Sequence, residues 1–353
     1  MIIPPVQTPP EMPPRVREVL PGERWAWDRF VGEGCGGILM QSWGWGELRR
    51  RSGWKVTRLV AEGPGREGWR GALQVLHRPV GLPLARWGYA PRGPALPNLR
   101  DHAAAAALLR AAAARLRRHG VLVLRLDPEW EVGGEGAALR RRLGLRPMAF
   151  DVQHRRTWLV DLGGSEPEVR LRLPPSTRRN IALADRSGVE VAELAVEGVE
   201  TFYQLHLETV SRQRFQTRAL SYYQAVVEEL DARVLLASRE GRPQAAAVVA
   251  ACGPRLAYLY GGSRPGPHRA MYAVHWAAIR WGMGRGCSIY DMWGVPSRFS
   301  PGDPGPGYAV FKTRWGGRLE DHSGLQGAPW LGPLDRPLAA LERRLLAHRP
   351  LLT

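Results

Sequence analysis

The sequence predicts an α/β protein in which one unit of hairpin, strand, helix and strand occurs twice. The first copy begins with a hairpin at 58–76 and the second with a hairpin at 234–249, each made of two apolar runs around a turn that contains Gly and Pro. In both copies a helical segment that stops before a glycine leads into a further apolar strand. Because the copies are offset by about 170 residues, they indicate duplicated domains and not a short-period solenoid.

The first copy continues from its hairpin through three segments. A tyrosine-bearing strand and turn occupy 87–94, and a helix is predicted at about 101–119, where Gly120 follows as a residue that can adopt the left-handed conformation at a helix end. The apolar run 121–128 then predicts a buried strand.

The second copy has the same three segments. Residues 256–263 predict a strand with two tyrosines, about 268–285 predict a helix that ends before Gly286, and 287–294 predict the last strand. The two copies therefore share the order of their elements as well as their composition.

Helices are predicted between and after the copies. Ser165 and Glu168 form a capping box at a helix start, and this helix must end at Pro174 and Pro175. The next helix opens at Ser176 and runs to Arg186. Further helices are predicted at about 198–212, about 221–230 and, as a leucine- and arginine-rich amphipathic segment, about 334–347. The Pro- and Gly-rich stretch 300–307 is predicted to be a loop near a site.

Charge and cysteine content limit the classes of function. The formal net charge is +17, which favours polyanionic partners such as RNA, phosphorylated substrates or anionic lipid. Of the 50 cationic residues only Lys55 and Lys312 are lysines, a bias that a GC-rich genome or a hot habitat would also produce. The three cysteines are far apart, so we expect buried free thiols and neither disulfides nor a metal site. The first residues lack a signal-peptide pattern and no long apolar run occurs, so we expect a cytoplasmic protein.

Six short motifs occur in order along the chain. They are Gln41 to Arg49 (QSWGWGELR), the basic helix from Ser176 to Gly188, Phe215 to Tyr223 (FQTRALSYY), Tyr258 to Gly261 (YLYG), Tyr290 to Gly294 (YDMWG) and Phe311 to Gly317 (FKTRWGG). In this order they resemble the Fem family of peptidoglycan-bridge aminoacyltransferases, and the resemblance covers about residues 24 to 330. Arg49 stands where the family has Lys, and Trp315 where it has a second Phe.

The resemblance implies a fold and a reaction. The fold is α/β with mixed sheets, two tandem GNAT-like (acetyltransferase-like) acyltransferase domains without the coiled-coil arm of some members. We expect residues 1–155 plus about 320–353 to form the first domain and 156–319 the second. The reaction is transfer of an amino acid from aminoacyl-tRNA to a stem-peptide amine of a peptidoglycan precursor, UDP-MurNAc-pentapeptide or lipid II. No cofactor is implied. A monomer is expected, with possible peripheral contact at the inner membrane face.

Two residues are candidates for the chemistry itself. Lys312 lies in the Phe-Lys motif, and the resemblance implies that its ammonium stabilises the oxyanion of the transition state or the tRNA end. An ordinary surface lysine is the alternative. Asp127 ends a buried-type strand before Pro128, where it could steer or deprotonate the attacking amine as a general base. An Asp that only forms the turn before Pro128 is the alternative.

Two further groups are candidates for binding. The resemblance places the phosphates of the acceptor on Arg218 and Tyr222, with Arg49 reaching them from the other domain and Tyr260 bonding to the acceptor. Solvated arginines and a core tyrosine are the alternatives. The arginines of the first two helices between the copies form the densest basic patch, for which we predict contact with the tRNA backbone or, alternatively, only a solvated surface. They are Arg170, Arg172, Arg178, Arg179 and Arg186.

Two other functions stay open at this point. An acyl-CoA N-acyltransferase would share the fold unit, but it needs a Gly-rich turn that cradles pyrophosphate, and neither 98–102 nor 264–269 has that pattern. A noncatalytic protein that binds RNA or an envelope precursor on the same scaffold would keep the charge and lack turnover. The nine histidines show no metal-ligand spacing.

Overall fold

The structure, a computed structural model, describes residues 13–63, 68–80, 82–302 and 304–328. The predicted helix at about 334–347, part of the predicted first domain and the start of the chain lie outside these residues. Within the described ranges no helix is both long and apolar enough to cross a membrane.

The described ranges contain ten α-helices and fourteen strands. The helices are α1 Arg24–Arg29, α2 Trp43–Arg51, α3 His102–Arg118, α4 Gly134–Arg142, α5 Glu166–Arg172, α6 Pro175–Arg186, α7 Val199–Gln213, α8 Leu220–Glu229, α9 Ala270–Gly284 and α10 Gly307–Thr313. The strands are β1 Arg15–Glu18, β2 Lys55–Glu62, β3 Trp69–Val80, β4 Leu82–Ala90, β5 Val121–Leu126, β6 Arg146–Pro147, β7 Arg156–Asp161, β8 Val189–Leu194, β9 Arg233–Arg239, β10 Arg242–Cys252, β11 Arg255–Ser263, β12 Ile289–Val295, β13 Arg318–Asp321 and β14 Gln326–Gly327. A π-helical turn covers Phe30–Gly34.

The strands form two seven-stranded mixed sheets with equivalent centres. The first sheet has the order β1-β2-β3-β4-β5-β14-β6, and the second has β8-β9-β10-β11-β12-β7-β13 when read from its other edge. In each sheet an antiparallel hairpin and strand are followed by a parallel pair, β4 with β5 and β11 with β12. A helix, α3 or α9, connects the two parallel strands. The predicted duplication and its order of elements are therefore confirmed, and the fold is the tandem α/β arrangement expected from the sequence.

Local sequence explains where the helices begin and end. Asp101 caps α3 by accepting a hydrogen bond from the Ala104 amide at 3.0 Å, and Gly120 follows the helix with a φ of 72°. Ser165 and Glu168 form the predicted capping box of α5. A helix is broken at Pro174, so that α6 begins at Pro175, one residue before the predicted start.

Some features differ from the sequence-based expectation. The short helices α1, α2, α4 and α10 were not predicted, and α10 is only seven residues long. Of the three free cysteines only Cys287 is buried, while Cys35 and Cys252 are partly exposed. The prediction of buried thiols is therefore right for one of the three.

The two halves of the chain share part of one hydrophobic core. Leu39, Met40, Trp45 and Leu48, from the first half, are buried in the same cluster as the inward side chains of α7, α8, β9 and β10. Helix α2 packs directly on α8. The division of the chain into domains at 155 and about 320 stays a prediction, but this shared core shows that α2 lies at the junction of the two sheets.

Candidate active site

Helix α2 places Arg49 at the junction between the halves. Ser42 caps this helix, and Arg49 follows in its last turn, where only 5% of the residue is exposed. The guanidinium carbon lies 5.6 Å from the centre of the Trp54 ring, and Nε has no hydrogen-bond partner. A buried guanidinium with an unused donor is prepared to bind an anion.

Arg78 lies against the same indole. Its guanidinium carbon is 4.4 Å from the centre of the Trp54 ring. Burial lowers the pKa of Arg78, and the positive charges of Arg49 and Arg218 lower it further. Three guanidinium groups are therefore close enough to repel one another, and an anion between them would relieve this repulsion. Sequence reasoning missed Arg78, because no motif marks it and only strand pairing brings it to the site.

Arg218 and two tyrosines complete this cluster, which we call the arginine cluster (Arg49, Arg78, Arg218, Tyr222 and Tyr260). The Arg218 guanidinium lies 5.7 Å from the ring of Tyr222, whose hydroxyl is 3.0 Å from that of Tyr260. Burial, followed by the neighbouring Tyr222, raises the pKa of Tyr260, while the charge of Arg49 opposes this rise. In the described part of the chain neither Arg49 nor Arg218 forms a salt bridge. The structure thus brings together the four residues that the resemblance marks for the acceptor.

Lys312 is buried on α10, with 6% of the residue exposed. Its ammonium donates a hydrogen bond to the Gly294 carbonyl at 2.7 Å and lies 5.5 and 6.0 Å from the ring centres of Tyr308 and Tyr258. Burial lowers the pKa of Lys312 to about 8, and the charge of Asp291 opposes this fall. The surface-lysine interpretation is therefore wrong for this residue.

Two histidines near Lys312 are shifted toward their neutral forms. The pKa of His275 is lowered to about 3, first by burial and then by the Lys312 charge, and the pKa of His154 is lowered by burial and by the charges of Lys312 and Arg92. Tyr308 is 40% exposed, so it forms the solvent-facing side of this region. The buried Lys312 ammonium beside exposed aromatic surface suits the stabilisation of a developing oxyanion.

Asp127 is held more tightly than the sequence indicates. Only 1% of it is exposed, and its two oxygens accept hydrogen bonds from the Tyr89 hydroxyl at 2.7 Å and the Arg92 amide at 2.8 Å. Burial raises its pKa to about 6, and the Arg92 charge opposes the rise. The residue has a pKa suited to a base at neutral pH, but its oxygens already bind the turn at Arg92. Its role as a base stays a prediction.

A continuous set of contacts joins Asp127 to Lys312. The side chain of Arg92 donates a hydrogen bond to the His154 carbonyl at 2.7 Å. The His154 ring packs against Gly294 so closely that no side chain would fit there. Gly294 in turn accepts the hydrogen bond of Lys312. The two candidate catalytic residues are therefore joined by a chain of contacts, although Asp127 follows a strand of the first sheet and Lys312 lies on α10.

The predicted tRNA-binding arginines lie on α5 and α6. Arg170, Arg172, Arg179 and Arg186 are exposed and Arg178 is partly exposed. Some have partners within the protein, because Arg172 binds the Gly163 carbonyl and Arg178 donates to the Leu171 carbonyl at 3.3 Å. The start of α6 is tied to the end of α10 by a hydrogen bond from Thr177 to the Arg314 carbonyl. The start of α6, which carries three of these arginines, therefore lies beside the end of the helix that carries Lys312.

A buried ionic network of Arg255, Glu129 and Asp291 connects the two halves of the chain. Sequence reasoning missed this network as well. Arg255 at the start of β11 donates to Glu129 at 2.8 Å and lies 3.5 Å from Asp291. Asp291 also accepts hydrogen bonds from Thr157 and from the Trp293 amide. This network fixes β12, and through it Gly294, against the first half of the chain.

A comparison with protein families decides to which family the chain belongs. The model of the FemAB family matches residues 144–240 and 232–325, which together cover slightly more than half of the chain. The chain belongs to the FemAB family. The match includes the positions of Arg218, Tyr222, Tyr260 and Lys312, so the described site lies largely in the part of the sequence that identifies the family.

Two curated proteins illustrate the relatives of this FemAB chain. The lipid II:glycine glycyltransferase of Staphylococcus haemolyticus (strain JCSC1435) is 27% identical over 229 residues, which are 61% of this chain and 54% of the relative. The UDP-N-acetylmuramoylpentapeptide-lysine N(6)-alanyltransferase of Weissella viridescens is 28% identical over 193 residues, 50% of this chain and 57% of the relative. The chain therefore spans slightly more than half the length of these relatives.

Solved structures resemble the FemAB chain in fold. The crystal structure of FemX gives a TM-score of 0.81 at 19% identity, and the alignment covers 93% of this chain and 99% of that one. The structure of L-PGS from Bacillus licheniformis gives a TM-score of 0.57 at 15% identity over 94% of this chain and 99% of that one. A tandem GNAT protein from the clavulanic acid biosynthesis pathway gives a TM-score of 0.51 at 14% identity over 89% of this chain and 98% of that one, which confirms the tandem GNAT-like architecture.

Proposed function

We propose that this protein is a cytoplasmic aminoacyl-tRNA-dependent aminoacyltransferase that acylates a stem-peptide amine of a peptidoglycan precursor, either UDP-MurNAc-pentapeptide or lipid II. The product is an amide that begins an interpeptide bridge. If lipid II is the acceptor, the protein works at the inner face of the membrane. The observation that carries the proposal is the arginine cluster, in which Arg49 and Arg78 of the first half meet Arg218, Tyr222 and Tyr260 of the FemAB-matched half, the half that also carries buried Lys312.

The arginine cluster supports a phosphate-bearing acceptor. Guanidinium groups bind phosphate oxygens in bidentate geometry, and three of them at one place match the diphosphate that both precursors carry. The hydroxyl pair of Tyr222 and Tyr260 adds donors to the same cluster. The curated relatives carry either lipid II or UDP-N-acetylmuramoylpentapeptide in their names, which agrees with a diphosphate ligand. We add Arg78 to the predicted phosphate ligands.

Lys312 supports acyl transfer from an ester. In this step the amine nitrogen of the acceptor attacks the carbonyl carbon of the aminoacyl ester and forms a tetrahedral intermediate with an anionic oxygen. The Lys312 ammonium stabilises that oxygen. The intermediate then expels the ribose oxygen of the tRNA, and this oxygen takes the proton that the amine loses. Asp127 is proposed to accept or guide that proton.

The patch of arginines on α5 and α6 supports tRNA as the donor. Three of its members lie on α6, whose start is tied to the end of α10, so a nucleic acid backbone bound there would lead toward Lys312. The net charge of +17 would attract the same polyanion over a longer range. Phosphate contacts of this kind hold a tRNA without reading its bases.

One assay tests the proposal against its alternatives. The purified protein is incubated with UDP-MurNAc-pentapeptide or lipid II and, in separate reactions, with aminoacyl-tRNA, with acetyl-CoA, or with free amino acid plus uncharged tRNA. We expect a new amide by mass spectrometry only with aminoacyl-tRNA. Product from acetyl-CoA would indicate an acyl-CoA transferase. Tight binding of tRNA and precursor without product in any reaction would indicate a noncatalytic binding protein.

A further inference from the structure

The loop that carries Arg218 is short and held from several directions. It covers residues 214–219 between α7 and α8, and it begins with Arg214 in the left-handed conformation, at a φ of 55°. The Tyr203 hydroxyl donates to the Arg218 carbonyl at 3.1 Å. Since the guanidinium of Arg218 can bind a ligand only if its backbone is fixed, the residues that hold this loop matter for the site.

His206 on α7 connects this loop to the strand that carries Tyr260. Its Nδ1 lies 2.9 Å from the Gly261 carbonyl, and its Nε2 lies 3.0 Å from the Tyr223 hydroxyl. A carbonyl can only accept, so Nδ1 must carry the proton. Burial lowers the pKa of His206, which favours the neutral ring, and Nε2 of that ring is an acceptor. Tyr223 must therefore donate its proton to Nε2.

This direction leaves the oxygen of Tyr223 free to accept from the loop. Thr217 Oγ1 lies 2.9 Å from the Tyr223 oxygen, and the Arg218 amide lies 3.5 Å from it. Burial raises the pKa of Tyr223, so that it remains a donor to His206. His206 and Tyr223 are 4% and 2% exposed, which keeps water from competing for these bonds.

We propose that His206 and Tyr223 form a positioning pair that holds Thr217 and Arg218 at a fixed position relative to Tyr260. His206 binds the carbonyl of Gly261, which is next to Tyr260. Tyr223 binds the side chain of Thr217 and the amide of Arg218. Neither residue belongs to the arginine cluster that is proposed to bind the acceptor. The consequence for affinity rests on the proposed function, whereas the hydrogen-bond directions depend on the fold alone.

Tyr223→Phe is the sharpest test, because it removes one hydroxyl and keeps the ring that packs against Phe202 and Tyr260. We expect the KM for UDP-MurNAc-pentapeptide to rise about fivefold to tenfold while kcat stays near the wild-type value, since one buried hydrogen bond has about this effect. Amide hydrogen exchange of residues 214–219 should accelerate by a similar factor. The matched control is Tyr272→Phe, because its hydroxyl is also buried and has no hydrogen-bond partner. This control should leave both quantities unchanged.

Two measurements separate the positioning pair from the proposed function. Nitrogen-15 NMR of the wild-type protein should find His206 neutral with its proton on Nδ1, whether or not the protein transfers amino acids. His206→Leu should raise both KM and loop exchange, and His206→Gln, which restores an acceptor for Tyr223, should recover part of the loss. Wild-type exchange in Tyr223→Phe, or a proton on Nε2 of His206, would overturn the inference. If the wild-type protein lacks transferase activity, but His206 has the expected tautomer and Tyr223→Phe accelerates exchange in the loop, only the proposed function is overturned.

Discussion

Lys312 is one of two lysines in a chain that otherwise depends on arginine for positive charge. Lysine carries its charge at one compact group, and burial lowers its pKa to about 8, whereas a guanidinium would keep its charge and need more room. The site therefore contains a cation that can be placed close to a single oxygen atom. This property suits an oxyanion and distinguishes Lys312 from the arginines that we assign to phosphates.

Lys312→Met should fold and lose most turnover. Removal of one charged group that stabilises an oxyanion lowers kcat by about 100- to 1,000-fold. The variant keeps an apolar stem of similar length, so the melting temperature should not fall. Steady-state kinetics with aminoacyl-tRNA and precursor measure the loss. Lys55→Met is the matched control, because Lys55 is exposed on β2, and kcat within twofold of wild type in both variants would contradict the role of Lys312.

The pH dependence of kcat should report the same group. Lys312 acts as a cation, so its contribution is present below a pH of about 8 and is lost as the pH rises through that value. The amine of the acceptor loses its proton as the pH rises, so the profile should be bell-shaped with an alkaline limb near pH 8. Lys312→Arg, if it is active, should lose this limb, because arginine stays charged. An alkaline limb that is unchanged in Lys312→Arg would assign it to another group.

Helices α5 and α6 act as one element in the proposal for tRNA binding. Arg179→Glu combined with Arg186→Glu should weaken tRNA binding and make its salt dependence shallower, because each lost phosphate contact reduces the slope of log K against log salt by about 0.7 to 0.9. Fluorescence titrations at several salt concentrations measure the slope. Arg110→Glu combined with Arg118→Glu makes the same change in net charge on the exposed face of α3. An equal effect of the two pairs would show that only the overall charge matters.

Helix α2 of the first half packs against α8 of the second half, and the closest contact is at Gly44. Gly44 packs so closely against the Glu229 carbonyl that an added methyl group would overlap the backbone of α8. Gly44→Ala should therefore lower the melting temperature and, by shifting Arg49, raise the KM for the precursor. Gly284→Ala is the control, since it is a helical position with open space around it and should be neutral or slightly stabilising. Equal stability of the two variants would contradict the close contact.

The sequence predicts elements better than it predicts their junctions. The ends of α3 and α9 follow from Gly120 and Gly286, and the break before α6 follows from two prolines, because these signals are local. Arg78 and His206 carry no local signal, since their neighbours come from strands and loops distant in sequence. The four acceptor residues were predicted only because the chain resembles a family, and their mutual distances required the fold.

At the scale of the whole molecule, the two halves depend on a few buried polar contacts as well as on a shared core. Glu129 follows β5 in the first sheet and Arg255 begins β11 in the second, and their side chains are 15% and 13% exposed. Burial alone would raise the pKa of Glu129, but the charges of Arg255 and its neighbours lower it overall. The Arg255 charge therefore stabilises the buried carboxylate of Glu129 at the contact between the two halves of the chain.

Arg255→Met should destabilise the protein by about 3 kcal/mol, the lower end of the cost of breaking a buried ion pair, because Glu129 then keeps, among the described residues, only the weaker ion pair with Arg92 at 3.8 Å. Combining it with Glu129→Gln removes that charge, so the double variant should be more stable than Arg255→Met alone. Chemical unfolding followed by circular dichroism measures both. The control is Arg264→Met, whose partner Glu208 lies 2.6 Å away in a largely exposed pair, and the expected loss there is below about 1 kcal/mol. If Arg255→Met costs no more than this control, the network does not hold the halves together, and the position of Gly294 beside Lys312 must depend on the shared core alone.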